Sequence, residues 1–430
     1  MKRFTALLLV ILFALVALAA CNNGGSESRA ESSVPEQTAE VSADPDAQWK
    51  NAEGDWTPKQ PVKDMGNRTF TICVRGPAVG TYQSDDFTTD GTLYGEVLNN
   101  AVAERNNKVE EIYHVVLNVE KIDDYITQIR LDTESQTQLF DAIMPSLKDL
   151  AVLAGEDGLY ELTSIEGFDL SAPWYDENAT KAFSIKNKVY FTTGDITILN
   201  KVCAPSILFN KEMIKLYGLE NPYDLVKEKQ WTFDKLVAMG KAVSNVSSDD
   251  VFQNTYGILA AYADPGDFFG CSGEMICVKD EEDLPVLKIG KEQRSATVAQ
   301  KILDTYANGS DWMVNANDRT LFKDMTDSLR MFGEGHVLFR VSGFSAATKL
   351  RKSSDVTFGI LPMPLYDEVQ DDYISYCGSS GEVAGIAIPK LAADPDFSAY
   401  MIDAYSAGAK NYVTKAYADI ILYQREAYDN

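Results

Sequence analysis

From Arg68 onward the chain switches repeatedly between two hydrophobic periods. Arg68-Thr-Phe-Thr-Ile-Cys-Val-Arg75 alternates apolar and polar side chains, the pattern of a strand. After a loop rich in Gly, Pro and Asp at 76–91, Leu93, Val97, Leu98, Ala101, Val109, Ile112 and Tyr113 recur at helical spacing among Glu, Arg, Asn and Lys. Residues 115–119 read as a second strand, 123–134 as a helix and 139–144 as a third strand ending at Pro145. A short helix over 149–156 stops near Gly158. This β-α-β-α-β-α order predicts a parallel sheet with helices on both faces, in which ligands gather beyond the carboxyl ends of the strands. Further on, 188–191, 206–209, 256–259, 337–341 and 356–360 read as strands, and 211–217, 233–243, 296–306 and 320–331 as helices. Thr232 is the expected N-cap of the 233–243 helix, with Asp234 in its first turn.

The amino-terminal pattern is of another kind. Lys2 and Arg3 precede an uncharged apolar run at 7–20, shorter than the ~20 residues a membrane span needs. That is the layout of an export signal. Its end, Leu18-Ala19-Ala20-Cys21, resembles the lipobox of bacterial lipoproteins, which implies a diacylglycerol on the Cys21 thiol; the plainer alternative is an ordinary cleaved signal. Residues 21–66 are polar, with scattered Pro, Ser, Glu and Asp, and are expected to form a disordered tether, because so little apolar surface cannot repay the entropy of ordering. The expected place of the folded region is the extracytoplasmic face of the cell membrane, held by the lipid at Cys21.

Composition narrows the function. The 430 residues carry 64 Asp and Glu against 39 Lys and Arg, a net charge of −25, and losing Lys2 and Arg3 with the signal makes it −27. Phosphate backbones repel such a chain, which excludes nucleic acid as a partner. With two histidines, His114 and His336, a His-rich metal site is excluded. No G-x-S-x-G elbow, H-E-x-x-H, P-loop or G-x-G-x-x-G occurs, and no cofactor or metal is called for. Two suitably spaced carboxylates would suffice for glycoside hydrolysis, so a surface-tethered polysaccharide hydrolase stands as an alternative. Besides Cys21 there are five cysteines, an odd number; Cys271 and Cys277 are close enough in sequence to close a small loop in an oxidising compartment.

The order of the pieces resembles the extracellular solute-binding proteins of ABC importers, family 1, the carbohydrate-binding group that includes maltose-binding protein. The resemblance rests on Glu161-Leu-Thr with Pro173-Trp174, Asn187-Lys-Val-Tyr190, Leu208-Phe-Asn-Lys211, Trp231-Thr-Phe-Asp234 and Thr255-Tyr-Gly-Ile258. It continues in Phe332-Gly-Glu-Gly335, Val341-Ser-Gly343, Phe358-Gly-Ile-Leu-Pro-Met-Pro364 and Ile386-Ala-Ile-Pro389, so it spans about 68–430. It implies an α/β, two-lobe periplasmic-binding-protein-like (type II) fold with a hinge between the lobes. Lobe 1 would be 67–192 and 361–405, and lobe 2 would be 193–360 and 406–430. Because 407–428 is a helical run without the closing helices the family usually has, lobe 2 is expected to be short or incomplete at its carboxyl end.

The resemblance further implies a monomer that binds a small solute, a mono- or oligosaccharide, and delivers it to the transmembrane subunits of an ABC permease without chemical change. A non-sugar solute on the same scaffold is the other alternative. A sugar asks for aromatic rings against its C–H faces and polar groups for its hydroxyls. The candidates are Arg75, Tyr82 and Asp85 after the first strand, Ser146 after the third, and Tyr262, Asp264, Phe268 and Phe269 in the loop expected after 256–259. Phe344 stands where the family often places a stacking ring. Trp174, Trp231 and Trp312 are expected to be packing residues rather than ligand contacts.

Overall fold

A computed structural model describes residues 44–82, 85–89, 95–377 and 379–419. Cys21, the apolar run before it and the side chain of Tyr82 lie outside the described residues. Among the described residues no helix is long and apolar enough to cross a membrane.

Two sheets organise the unit that begins at Asp46. In the first, β1 (Arg68–Arg75) lies between β2 (Val115–Ile122) and β3 (Ala142–Met144), all parallel. The helix Glu96–Tyr113 makes the crossover from β1 to β2, and Tyr125–Ser135 the one from β2 to β3. The stretch at 383–389 runs antiparallel beside β3, where Ile143 and Ala387 exchange backbone hydrogen bonds of 2.9 and 3.0 Å. The second sheet has the order β10-β4-β9-β5-β8, built from β4 (Pro205–Asn210), β5 (Tyr256–Ala260), β8 (Met313–Asn315), β9 (Val337–Gly343) and β10 (Phe358–Leu361). Only β4 runs against its neighbours, so β5, β8, β9 and β10 end at the edge where β4 begins. A separate hairpin pairs β6 (Cys277–Lys279) with β7 (Pro285–Leu287).

Each sheet has its own apolar core. The first is assembled on Phe70, Ile72 and Val74 from one face of β1, under the helix Pro395–Ala409, which is buried from Phe397 to its end. Tyr405 stacks on Phe70 with ring centroids 5.6 Å apart. The second is assembled on Ile207, Phe209, Ile258, Phe339 and Val341, closed by the helix Phe233–Val243 and by Trp231 and Trp312. Thr232 caps that helix as expected, its hydroxyl accepting from the Lys235 N–H. Trp174, Trp231 and Trp312 are all buried, in packing roles.

Three expectations about the chain's organisation need correction. The segment from Asp46 to 66 packs on the first core instead of forming part of a disordered tether. Trp49 is 4% exposed, edge-on to Trp174 at 5.2 Å, and Tyr400 donates to the Pro61 carbonyl at 2.7 Å. Two tryptophans and two prolines give this stretch the apolar area its polar average conceals. Second, the run from 361 to 376 stays with the second sheet: Leu365 bonds Trp231, Arg294 pairs with Asp367 at 2.7 Å, and Tyr373 donates to the Val226 carbonyl. Third, the stretch from 406 to 417 packs on the first lobe, where Ala409, Val413 and Tyr417 join Leu98 and Val102 of the helix Glu96–Tyr113. An apolar ladder along one continuous helix kept that stretch with Pro395–Ala409 rather than returning it across the hinge.

Candidate functional site

The carboxyl edges of both sheets come to the same crossing segments. At the end of β1, Arg75 is 1% exposed and its Nη2 donates to the Glu382 carbonyl at 2.8 Å. At the end of β9, Gly343 lies against Val202 and Cys203, where a Cβ would stand 2.7 Å from the Val202 carbonyl oxygen. Only a glycine admits that approach.

Around Arg75 the ends of β2 and β3 contribute a connected polar group. Tyr125, just past β2, donates its hydroxyl to Asp149 Oδ2 at 2.6 Å, and Ser146, just past β3, donates to the same oxygen at 2.7 Å. Ser146 also caps the helix Leu147–Gly155, accepting from the Asp149 N–H at 3.1 Å. Burial pulls the Arg75 guanidinium below its ordinary pKa, against the opposing pull of Tyr125, Asp86, Cys203 and Asp149. From the crossing segments come Cys203, whose thiol burial pushes up to about 12, and Cys377, raised for the same reason. Asp267, on the second-sheet side, is raised to about 6 by burial and then by the charge of Glu382. The result is a cluster of bonded donors and acceptors around a buried guanidinium, at the junction of the two sheets.

The candidates read from sequence divide between this junction and the cores. Arg75 and Ser146 come together there. Asp85 is buried with Lys121 Nζ 3.7 Å away, beside an anchored Asp86 that accepts from the Ile198 N–H at 2.6 Å. Arg105 donates to the Asp86 carbonyl and Asn106 to that of Phe87, so the end of the loop after β1 is fixed to the helix that follows. Phe344 is half-buried directly after β9. Tyr262 is 75% exposed beyond β5, its N–H bonded to Asn317.

The expected glycine-flanked loop beyond Tyr262 is instead the helix Asp264–Cys271. Pro265 falls at its first turn, where the ring's fixed φ favours a helix start. Phe268 therefore faces inward, edge-on to Phe233 at 5.0 Å, and Phe269 is likewise buried, beside a hollow of about 400 Å³ lined by Gly270, Met275, Ile276 and Tyr376. Asp264 is buried at the helix start, accepting from the Ala261 N–H at 2.7 Å and the Tyr306 hydroxyl at 3.3 Å. Burial raises it to about 7 despite Arg340 nearby. Phe268 and Phe269 pack in the second core, and Asp264 is buried at the start of the same helix. Cys271 and Cys277 are free thiols, one buried and one exposed.

Sequence reading missed Tyr125, Asp149, Asp267 and Glu382. The rule about carboxyl ends would have found Tyr125, which follows β2 directly. Glu382 contributes to Arg75 a backbone carbonyl, which leaves no side-chain signature, and to Asp267 its charge.

The arrangement has many relatives of known structure. No family model matches the sequence, and no curated protein matches it. An ABC substrate-binding protein from Listeria monocytogenes, in complex with cycloalternan, superposes with a TM-score of 0.50 at 14% identity, over 82% of this chain and 78% of that one. M. tuberculosis UspC gives 0.54 at 12% identity over 83% and 85%, and a cyclo/maltodextrin-binding protein complexed with maltotetraose gives 0.53 at 14% over 84% and 83%. The fold is that of the two-lobed substrate-binding proteins. In this two-lobed fold the first sheet is one lobe and the second sheet the other, and the junction of Arg75, Ser146, Glu382 and Cys203 lies where the chain crosses between them.

Proposed function

We propose that the protein is a member of the family 1 extracellular solute-binding proteins: a lipid-anchored, extracytoplasmic receptor that binds a mono- or oligosaccharide between its lobes and hands it to an ABC permease. The reading is carried by the meeting of two carboxyl edges at a set of crossing segments, with the buried Arg75 at the end of β1 bonded to one of them. Support comes from the solved relatives captured with cycloalternan and maltotetraose, and from the lipobox-like Leu18-Ala19-Ala20-Cys21. The solute would act by differential affinity: touching both lobes at once, it binds the closed arrangement more tightly than the open one and shifts the balance by that difference. The ligand leaves unchanged, the receptor works as a monomer, and the lipid on Cys21 keeps it at the membrane.

A thermal-shift screen of residues 22–430 against mono- and oligosaccharides, amino acids and peptides tests this. A sugar at 100 times its Kd raises stability by about 2.7 kcal/mol and is recovered intact. A hit confined to peptides or amino acids would move the protein to another solute class, and new reducing ends would make it a hydrolase.

A further inference from the structure

The hairpin of β6 and β7 belongs to the second lobe. Lys288, just after it, lies 3.6 Å from Glu274, which pairs with Arg294 at 3.2 Å, and Arg294 in turn pairs with Asp367. Its tip is built by Asp280, whose carboxylate accepts from the N–H groups of Glu282 and Leu284 at 3.0 and 2.8 Å. That brings Asp283 to the end in the left-handed region, φ 59°.

A second turn meets it from the first lobe. Ser184 ends the helix Glu177–Phe183, and Ile185 and Lys188 then pair across a two-residue turn in which Lys186 and Asn187 both have positive φ, 53° and 60°. Two consecutive left-handed residues define the tight turn that matches strand twist. It belongs to the first lobe because Phe183 packs on Phe191 at 4.8 Å and Lys188 pairs with Glu161 at 2.7 Å.

Asp283 joins the two tips through three of its oxygens. One carboxylate oxygen accepts from the Ser184 hydroxyl at 2.9 Å, the other from the Asn187 N–H at 2.8 Å, and its carbonyl accepts from the Lys186 N–H at 3.3 Å. Lys279 completes the set by donating to the Ser184 carbonyl while lying 3.3 Å from the Asp283 carboxylate. The Asp283 side chain is only 16% exposed, although it stands at a hairpin tip. Three of the residues that bond it, Ser184, Lys186 and Asn187, belong to the other lobe.

We propose that the β6–β7 hairpin is a strap between the lobes, fastened by Asp283 onto the turn at 184–188, and that it sets how far the lobes stand apart without a solute. A hinge equilibrium is biased by any contact made in one arrangement and not the other. The strap is such a contact, and its residues are separate from the cluster around Arg75. Hydrogen bonds to a covered carboxylate are strong enough for their loss to move the balance of arrangements roughly tenfold.

The test is the distribution of distances between nitroxides carried on ketone-bearing residues introduced at Glu111 and Lys227, in protein without solute. Asp283→Ala is expected to shift or broaden the distribution. Ser184→Ala, which removes one hydroxyl from the opposite lobe, should shift it the same way by less, and the double variant should shift it no further than Asp283→Ala alone. An unchanged distribution in both single variants, with circular dichroism showing them folded, would overturn the proposal. Ser184→Ala keeps the test alive should Asp283→Ala fail to fold. Because no solute is used, a failed strap leaves the solute-binding proposal standing, and a failed solute screen leaves the strap.

Discussion

The guanidinium of Arg75 donates to the carbonyl of Glu382 at 2.8 Å, so the end of the central strand of the first lobe is tied to a segment that crosses to the second. The guanidinium is buried, and burial lowers its pKa. A solute oxygen beside it would be gripped in a dry setting where hydrogen bonds to charged groups are worth about 1.5–3 kcal/mol. Arg75→Met is therefore expected to weaken binding of the best sugar at least tenfold in calorimetric titration. A Kd unchanged in a folded variant would remove Arg75 from the site.

The packing of Phe268 in the second core has an equally direct test. Phe268→Ala empties a place between Phe233 and Tyr306 and is expected to cost about 3–5 kcal/mol in urea unfolding. Solute affinity measured well below the midpoint should stay within about twofold. A large loss of affinity with little loss of stability would return Phe268 to the ligand.

The segment from Asp46 to 66, packed on the first core, is expected to stabilise the first lobe. Removing residues 1–45 should leave the unfolding midpoint unchanged, whereas removing 1–66 takes away Trp49, the two bonds between the Trp56 backbone and the Asn411 side-chain amide, and the Pro61–Tyr400 contact. Trp49→Ala alone should cost about 3 kcal/mol, the scale of a buried aromatic deletion. Equal midpoints for the two truncations would show that the segment from 46 to 66 contributes nothing.

Two buried aspartates give the stability a definite pH dependence. Asp403 accepts from Trp174 Nε1 at 2.7 Å and the Tyr175 hydroxyl at 3.0 Å, yet burial raises it to about 7, as it does Asp264. A carboxyl raised in the folded state binds its proton more tightly there than in the unfolded chain. Its contribution is therefore most favourable below the unfolded value near 3.8 and is lost as pH rises toward about 7. Asp403→Asn cannot titrate, so it should gain stability relative to the parent between about pH 4 and 7, measured by urea unfolding across that range. A difference independent of pH would contradict the assignment.

The first sheet was legible because its signals are local. The alternation in Arg68–Arg75 and the helical spacing after 96 each lie within one element, and the structure places the strand within those bounds. Four strands of the second sheet were legible but β8 was not, nor was the order, since β4 pairs with β9 and β10 from far along the chain. The helix Asp264–Cys271 was hidden by its Pro and Gly, which read as a loop until Pro265 is seen at a helix start. The helix Pro395–Ala409 was hidden in a different way: apolar on nearly every side, it lacks the amphipathic stripe that marks a surface helix. At the site, Arg75 and Ser146 could be found because they follow strands, whereas Asp267 and Glu382 depend on how the two lobes meet, which no local pattern records.

Small-angle X-ray scattering of residues 22–430, before and after saturation with the best sugar, tests the central claim most directly. The expected result is a smaller radius of gyration with the sugar bound and the same sugar recovered afterwards. An unchanged radius at saturation, or a sugar recovered in pieces, would contradict a receptor that works by closing two lobes around its solute.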